Sequence, residues 1–263
     1  MSHALLAPLR STDAALRAAA CRAIASDPAG ALLAEALAVA LGDPDKRVAR
    51  AASEALVGLA RAGSGEAIVP LLRAALHGDV KPARIQAALT LARLVPPEPS
   101  LLPALTLALA SHEGDLRWSA ARVLVEMGRL HGEIVRVLVG LLGGGEAPAV
   151  RRMATFCLRE LAPDQPAAAQ ALLEASRDAD TQLRRAALTA MAGLLDPPAA
   201  VIARLAEALD DADAVSAGLA ALALGEIREV GALPRLRALA ESARTPALQR
   251  AAKAAVARLE TRR

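Results

Sequence analysis

The sequence predicts an all-α protein, an α-α superhelix (solenoid) of about eight helix pairs. Three observations predict it: the composition, an internal repeat, and the spacing of residues within that repeat. Hydrophobic residues make up 54% of the 263 residues, yet only 1% are aromatic, with one tryptophan, one phenylalanine and no tyrosine. A core built mainly from alanine and leucine, which are strong helix formers, favours closely packed helices over sheets.

An internal repeat of about 33 residues runs through the chain and indicates which residues share a structural position. The aligned segments begin at eight anchor residues: Leu16, Val48, Ala83, Leu116, Val150, Leu183, Ser216 and Leu248. The fifth position of every segment is alanine and the ninth is aliphatic or methionine, as in Ala120 and Leu124. Because residues four apart lie on one face of a helix, each segment predicts a helix with one buried face.

A second helical pattern precedes each aligned segment, and proline or glycine often separates one repeat from the next. We therefore predict a single solenoid over residues 1–263, in which each repeat is a helix, a short turn and a second helix. The approximate repeats are 1–27, 28–62, 63–96, 97–130, 131–163, 164–196, 197–229 and 230–263.

Acidic residues mark the turn before the second helix in several repeats. Asp13, Asp45, Asp180 and Asp213 each stand three residues before their anchor, and an arginine often follows the anchor, as at Arg17. A carboxylate in this place can accept hydrogen bonds from the free backbone amides of the helix N-terminus. We interpret the acidic clusters of these turns as helix caps and partners of arginine, not as metal ligands.

The order of an acidic turn, an aliphatic anchor, arginine, alanine and leucine resembles the HEAT repeat. It resembles in particular the bacterial HEAT-like repeats of the phycobilin lyases, as in "LRWSAARVLVEM", Leu116 to Met127. The resemblance covers residues 1–263 and implies an armadillo-like helical solenoid whose second helices line the concave side. It also implies a binding scaffold, since most of that superfamily are scaffolds. The seventh repeat departs from the pattern, with Ser216 and Ala217 in place of the aliphatic residue and the arginine.

The sequence contains no arrangement of residues that indicates catalysis, a cofactor or a metal site. Cys21 and Cys157 are far apart, and we expect both to be buried as small hydrophobic residues. The four histidines are scattered rather than one helical turn apart, and we expect them in turns and on the surface. The glycine-rich stretch "LLGGGEAP" lacks the GK[ST] of a phosphate loop and predicts a flexible turn. We expect a non-enzymatic protein without a cofactor or a metal ion.

Charge and apolar runs bear on the location of the protein and on the class of partner. The net charge of +3 is small for a nucleic-acid-binding protein. The first residues, "MSHALLAPLRSTD", lack the basic start and apolar run of a secretory signal, and no apolar run reaches the roughly 18 residues of a membrane span. We expect a cytoplasmic protein that does not bind a membrane.

The third and seventh positions of each second helix point away from the face that the fifth and ninth positions bury. Trp118 holds a third position and Phe156 a seventh, so we expect both rings on the concave surface. The expected partner-binding surface consists of Trp118, Phe156, Ile85, Leu89, Arg50, Arg122, Arg152, Arg159 and Arg185. Apolar side chains bordered by arginines are typical of protein-binding hot spots. The plainer interpretation is that the rings pack against neighbouring repeats or lie singly on the surface.

The predicted function is a scaffold that binds a protein or peptide with acidic and apolar side chains. Two other functions remain open. Alkylpurine DNA glycosylases use a similar concave surface with basic and aromatic residues, but the small net charge and the lack of further aromatic residues disfavour nucleic acid here. A chromophore lyase or chaperone subunit of the phycobilin type is compatible with the repeats, although no residue points to it.

Overall fold

The computed structural model describes residues 2–142 and 145–261. Gly143 and Gly144, in the turn predicted from "LLGGGEAP", lie outside the described residues, as does the side chain of His3. The described residues contain α-helices and no β-strand, which confirms the predicted all-α class. The helices are α1 Ser2–Leu9, α2 Ala14–Ser26, α3 Ala34–Ala40, α4 Lys46–Leu59, α5 Gly65–Ala75, α6 Lys81–Leu91, α7 Leu102–Leu109, α8 Gly114–Leu130, α9 Glu133–Gly140, α10 Pro148–Leu161, α11 Pro166–Ala175, α12 Thr181–Ala192, α13 Ala199–Ala208, α14 Ala214–Glu226, α15 Leu233–Ser242 and α16 Pro246–Glu260.

The even-numbered helices are the predicted second helices, and each begins two residues before its anchor. Thus α4 begins at Lys46, before Val48, and α12 begins at Thr181, before Leu183. The alanines of the fifth position are all buried, namely Ala20, Ala52, Ala87, Ala120, Ala154, Ala187, Ala220 and Ala252. The small side chain at this position lets the neighbouring helices approach closely, which explains how the core packs without aromatic rings.

Asp13, Asp45, Asp180 and Asp213 cap the helices that follow them, as the sequence predicts. The carboxylate of each accepts a hydrogen bond from a backbone N–H in the first turn of its helix. These amides have no partner within the helix, so the caps satisfy them and define where α2, α4, α12 and α14 begin.

The chain divides into two compact units: unit 1, up to Met127, and unit 2, from Gly128 onward. In unit 1, α2, α4 and α6 pack side by side in one layer, and α1, α3 and α5 pack in another. In unit 2, α10, α12, α14 and α16 form the layer of second helices, while α9, α11 and α13 form the other. Each of these layers packs its helices in chain order, as successive helix pairs of a solenoid do. The single solenoid over residues 1–263 stays a prediction.

Helices α4 and α5 are joined by a short kinked turn, residues Ala60–Ser64. Gly63 in this turn has a φ of 113°, outside the helical region and in a conformation that other residues rarely adopt. By length and apolar composition alone, the helical run Lys46–Ala75 is long enough to cross a membrane. However, α4 packs in the layer of second helices and α5 in the layer of first helices. The apolar residues of this run therefore contribute to the core of unit 1.

Candidate functional site

A groove of about 610 Å³ lies on the layer of second helices in unit 1. Residues of α4, α6 and α8 line it, together with residues that flank these helices. Glu54, Leu89 and Arg122 hold the seventh position of three consecutive repeats, and all three line the groove. The helical geometry read from the sequence therefore identifies the face of the second helices on which the groove lies.

The floor of the groove contains a chain of hydrogen bonds that sequence reasoning missed. The buried hydroxyls of Ser53 and Thr90 are 2.7 Å apart, and the Thr90 hydroxyl donates to the backbone carbonyl of Gln86 at 2.6 Å. Since that bond uses the only proton of Thr90, Ser53 donates to Thr90 and accepts a bond of 3.3 Å from Nη1 of Arg93. The network joins α4 to α6 and holds the guanidinium of Arg93 beside the groove.

Charged side chains of both signs border the groove. The lining residues of α4 include three cations, Lys46, Arg47 and Arg50, and the carboxylate of Glu54. The lining residues between 113 and 126 include three carboxylates, Glu113, Asp115 and Glu126, and the guanidinium of Arg122. This acidic wall was not expected from the sequence, because Glu113 holds the position of a helix cap and the three members hold different repeat positions.

Most of these charges are available to an external partner. Within the described residues, Lys46, Arg122 and the three carboxylates of the acidic wall form no ion pair. Arg50 lies 3.7 Å from Glu54, but both side chains are more than half exposed, and such a pair contributes little to stability. The groove therefore combines apolar and neutral polar lining residues with charges that water, rather than protein, solvates.

Arg47 differs from the other cations of the groove because its guanidinium is paired with the cap of its own helix. It lies 2.7 Å from Oδ2 of Asp45. Hydrogen bonds from the side chain of Arg47, and then from its backbone N–H, lower the pKa of Asp45 to about 2. Both side chains are thus held at the start of α4, where the groove begins.

Trp118 lies on α8 with its side chain half exposed, which agrees with its expected orientation away from the helix-pair core. The indole is not among the groove-lining residues. It stands one helical turn before Arg122 on the same helix, so its position flanks the groove wall.

The expected orientation of Ile85 is wrong. Its side chain is only 9% exposed and belongs to the core of unit 1. Ile85 holds a third position, as do Ala18 and Gly218, which are also buried, whereas Arg50 at the same position is exposed. The third position lies at the edge of the buried arc, so neighbouring helices cover a short apolar side chain there while a long polar one extends into solvent.

Three of the expected residues lie on α10 in unit 2. Arg152 is exposed, and Phe156 is partly exposed. The guanidinium carbon of Arg159 lies 4.9 Å from the centroid of the Phe156 ring, within the range of a cation–π interaction. Arg159 also pairs with Glu160 at 2.6 Å. Arg159 and Phe156, both expected on the same surface, are therefore in contact, with the guanidinium over the ring.

Arg185 connects two helices of unit 2. Its Nε and Nη2 atoms donate to the carboxylate of Asp213, each at 2.8 Å. This bond, together with those from Ser216, holds the pKa of Asp213 well below its usual range. A bidentate pair of this kind is strong and directional, so Arg185 stabilises the contact between α12 and the N-terminus of α14.

The side chains that could carry metal or nucleophilic chemistry are buried or dispersed. Within the described residues, no group of three or more His, Cys, Asp or Glu is placed to hold a metal ion. Cys21 and Cys157 are fully buried, as expected. Burial raises the pKa of the Cys21 thiol to about 11 and that of the Cys157 thiol to about 12. A thiol that stays protonated at neutral pH is a poor nucleophile.

Comparison with known proteins gives one family that matches part of the chain and several solved structures with a similar fold. Residues 101–192, about a third of the chain, match the family described as HEAT repeats. No curated protein matches the sequence.

Solved structures of helical-repeat proteins resemble the whole chain. The karyopherin Kap121p bound to the extreme C-terminus of the protein phosphatase Cdc14p has a TM-score of 0.63 at 15% identity, covering 98% of this chain and 33% of that one. Kap121p bound to Pho4p has a TM-score of 0.61 at 17% identity, covering 97% and 32%. YibA of E. coli has a TM-score of 0.54 at 15% identity, covering 99% and 92%. The chain thus spans about a third of the length of Kap121p, and at these identities the likeness concerns the fold.

The matched segment begins just before α7 and ends with α12, so it contains three helix pairs of the kind found along the rest of the chain. The acidic caps, the buried alanines and the paired layers recur outside the segment as well. Residues 101–192 therefore match the HEAT repeats, and the chain shares the all-α fold of paired helices with the solved structures that it resembles.

Proposed function

We propose that this protein is a non-enzymatic scaffold that binds a segment of a partner protein in the groove of unit 1. The observation that carries the proposal is the set of unpaired charges around a lining that includes apolar side chains. Leu89, Leu116 and Val123 supply apolar surface in the groove. Lys46 and Arg122 supply cations that form no ion pair within the described part of the chain.

The physical basis is a groove that exists before the partner arrives. Asp45 caps α4, and the hydrogen bonds between Ser53, Thr90 and Arg93 join α4 to α6, so binding orders few protein side chains and loses little entropy. Apolar side chains of the partner gain free energy when they leave water and pack against Leu89. Charged side chains at the border contribute orientation and association rate more than affinity.

Two further observations favour a protein partner over nucleic acid. Glu113, Asp115 and Glu126 line the same groove and would repel a phosphate backbone. Kap121p, whose fold is similar, has been solved bound to Pho4p and to the C-terminus of Cdc14p, so a solenoid of this kind accommodates protein segments.

The test compares a groove variant with a matched surface variant. Leu89→Gln places an amide in the groove, whereas Val39→Gln makes a similar change on α3, in the other layer, where the side chain is 79% exposed. Proteins captured from an extract of the source cells by the wild type would be purified and titrated against all three proteins by calorimetry. We expect Leu89→Gln to weaken binding at least tenfold and Val39→Gln to leave it unchanged. Equal binding by the wild type and Leu89→Gln would place the interface elsewhere.

A further inference from the structure

The two walls of the groove, one on α4 and one on α8, differ in charge. Lys46 and Arg50 stand on α4 at one side, and Glu113 and Asp115 stand at the start of α8 on the other. We propose that the groove binds an extended segment that crosses α4, α6 and α8 in turn, with an acidic side chain against α4 and a basic side chain against α8. This inference rests on the proposed binding of a protein segment and specifies its chemistry and its direction.

The net charge of the lining residues gives each wall its sign. On α4 the cations Lys46, Arg47 and Arg50 outnumber Glu54, and on the opposite wall Glu113, Asp115 and Glu126 outnumber Arg122. On α4, Arg47 is paired with Asp45, but Lys46 forms no ion pair and Arg50 is held only weakly by Glu54 at 3.7 Å. On the opposite wall, Glu113 and Asp115 form no ion pair within the described residues. A partner of uniform charge would therefore meet attraction on one wall and repulsion on the other.

The spacing of the helices sets the spacing of the two charges in the partner. Packed helix axes lie about 8–10 Å apart, so α4 and α8, on either side of α6, are separated by roughly 16–20 Å. An extended chain advances about 3.3 Å per residue. The acidic and basic side chains of the partner should therefore stand about five to six residues apart.

Between the two walls, the groove presents apolar and neutral polar surface. Leu89 and Ala92 of α6 line this middle part, with Leu116 and Val123 of α8 beside them. An apolar side chain placed about midway between the two charges of the partner would lie over α6. The predicted segment is therefore acidic at one end, apolar in the middle and basic at the other end.

The experiment uses a display library of random twelve-residue peptides selected against the purified full-length protein. We expect the enriched peptides to carry Asp or Glu and Lys or Arg about five to six residues apart, with an apolar residue between them. Binding of one enriched peptide is then measured for wild type, Arg50→Glu and Asp115→Lys. Arg22→Glu, an exposed residue of α2 outside the groove, is the control.

Charge exchange between protein and peptide tests which end binds to which wall. Arg50→Glu should weaken the peptide about tenfold, and replacing the acidic residue of the peptide by lysine should restore binding to that variant. Asp115→Lys should also weaken the peptide. Only replacing the basic residue of the peptide by an acidic one should restore binding to that variant. Circular dichroism of each variant confirms that it is folded.

The outcomes separate this inference from the proposed function. Enriched peptides that lose binding in Leu89→Gln but show no separated charges, or no rescue at the matching wall, would overturn the polarity of the groove and leave the scaffold proposal standing. A selection that enriches no peptide sensitive to Leu89→Gln would overturn both.

Discussion

Arg17 and Asp43 link two successive repeats: Nε of the arginine donates to Oδ2 of the aspartate at 2.7 Å. The contact recurs between Arg184 and Asp211 at 3.0 Å. In both cases Nη1 of the arginine also donates to two backbone carbonyls in the turn before its own helix. Each such arginine therefore ties the turn of its own repeat to the turn of the next.

This ladder contact is missing between the third and fourth repeats, although its arginine is present. Arg84 holds the position of Arg17, but its Nε is buried and has no hydrogen-bond partner within the described residues. Ser111 stands where Asp43 stands, and its hydroxyl accepts the N–H of Glu113 at 3.1 Å, as Oδ1 of Asp43 accepts that of Asp45. We expect Ser111→Asp to supply the missing acceptor and raise the free energy of unfolding by about 1–2 kcal/mol in urea denaturation.

Ser11→Asp provides a matched control for this change. Ser11 makes the same turn hydrogen bond, with the N–H of Asp13, but within the described residues no arginine of another repeat faces it. It should give little or no stabilisation. A gain for Ser111→Asp that persists when Arg84 is replaced by glutamine would show that the ladder contact is not its source.

Protonation of Asp45 should remove its ion pair with Arg47. The hydrogen bonds from Arg47 lower the pKa of Asp45 from 3.8 to about 2. Because the pKa is lower in the folded state, the stabilisation is present above the unfolded pKa and is lost as the pH falls through the folded pKa. Asp45→Asn keeps a capping oxygen and removes the charge, so its melting temperature should be lower than that of the wild type at neutral pH. We expect the two melting temperatures to converge between about pH 4 and pH 2. A constant difference over that range would contradict the assignment.

Leu124 and Trp118, on the same helix, should respond oppositely to truncation. Leu124 is fully buried, so Leu124→Ala should leave a cavity and lower the free energy of unfolding by about 2–5 kcal/mol. Trp118 is half exposed, and Trp118→Ala should cost clearly less despite removing more atoms. Urea denaturation followed by circular dichroism measures both. A loss in Trp118→Ala as large as that in Leu124→Ala would place the indole among the core residues.

The two thiols should be inert in the native protein. Burial raises the pKa of Cys21 to about 11 and that of Cys157 to about 12, so the reactive thiolate is scarce at pH 8. We expect a disulfide reagent such as Ellman's to label both cysteines in denaturant and neither at a comparable rate in buffer. Rapid labelling of one thiol in the folded protein would show that its site opens to solvent.

The repeats could be predicted from the sequence because one residue type serves one role in every copy. Alanine at the fifth position is always buried, and aspartate three residues before an anchor caps a helix wherever it occurs, as at Asp45 and Asp180. Such roles depend on local geometry, which a spacing of four residues or a cap position specifies on its own.

The groove could be predicted only in part, because its composition depends on contacts between repeats. Leu89 and Arg122 were expected there from their seventh position, and the structure places both in the groove. The burial of Ile85 depends on how closely the neighbouring helices pack, and the bond of Arg185 to Asp213 depends on the distance between α12 and α14. The periodicity of one helix specifies neither how closely its neighbours pack nor how far apart α12 and α14 lie.

Trp118 is the only strong near-ultraviolet chromophore of a chain with one tryptophan and no tyrosine. Its indole lies half exposed on α8, the helix that forms the acidic wall of the groove. Any change in the intrinsic emission of the folded protein therefore originates at this single side chain. The protein carries its own optical label beside the groove, so an occupant that reaches α8 should alter the emission directly, without an attached dye.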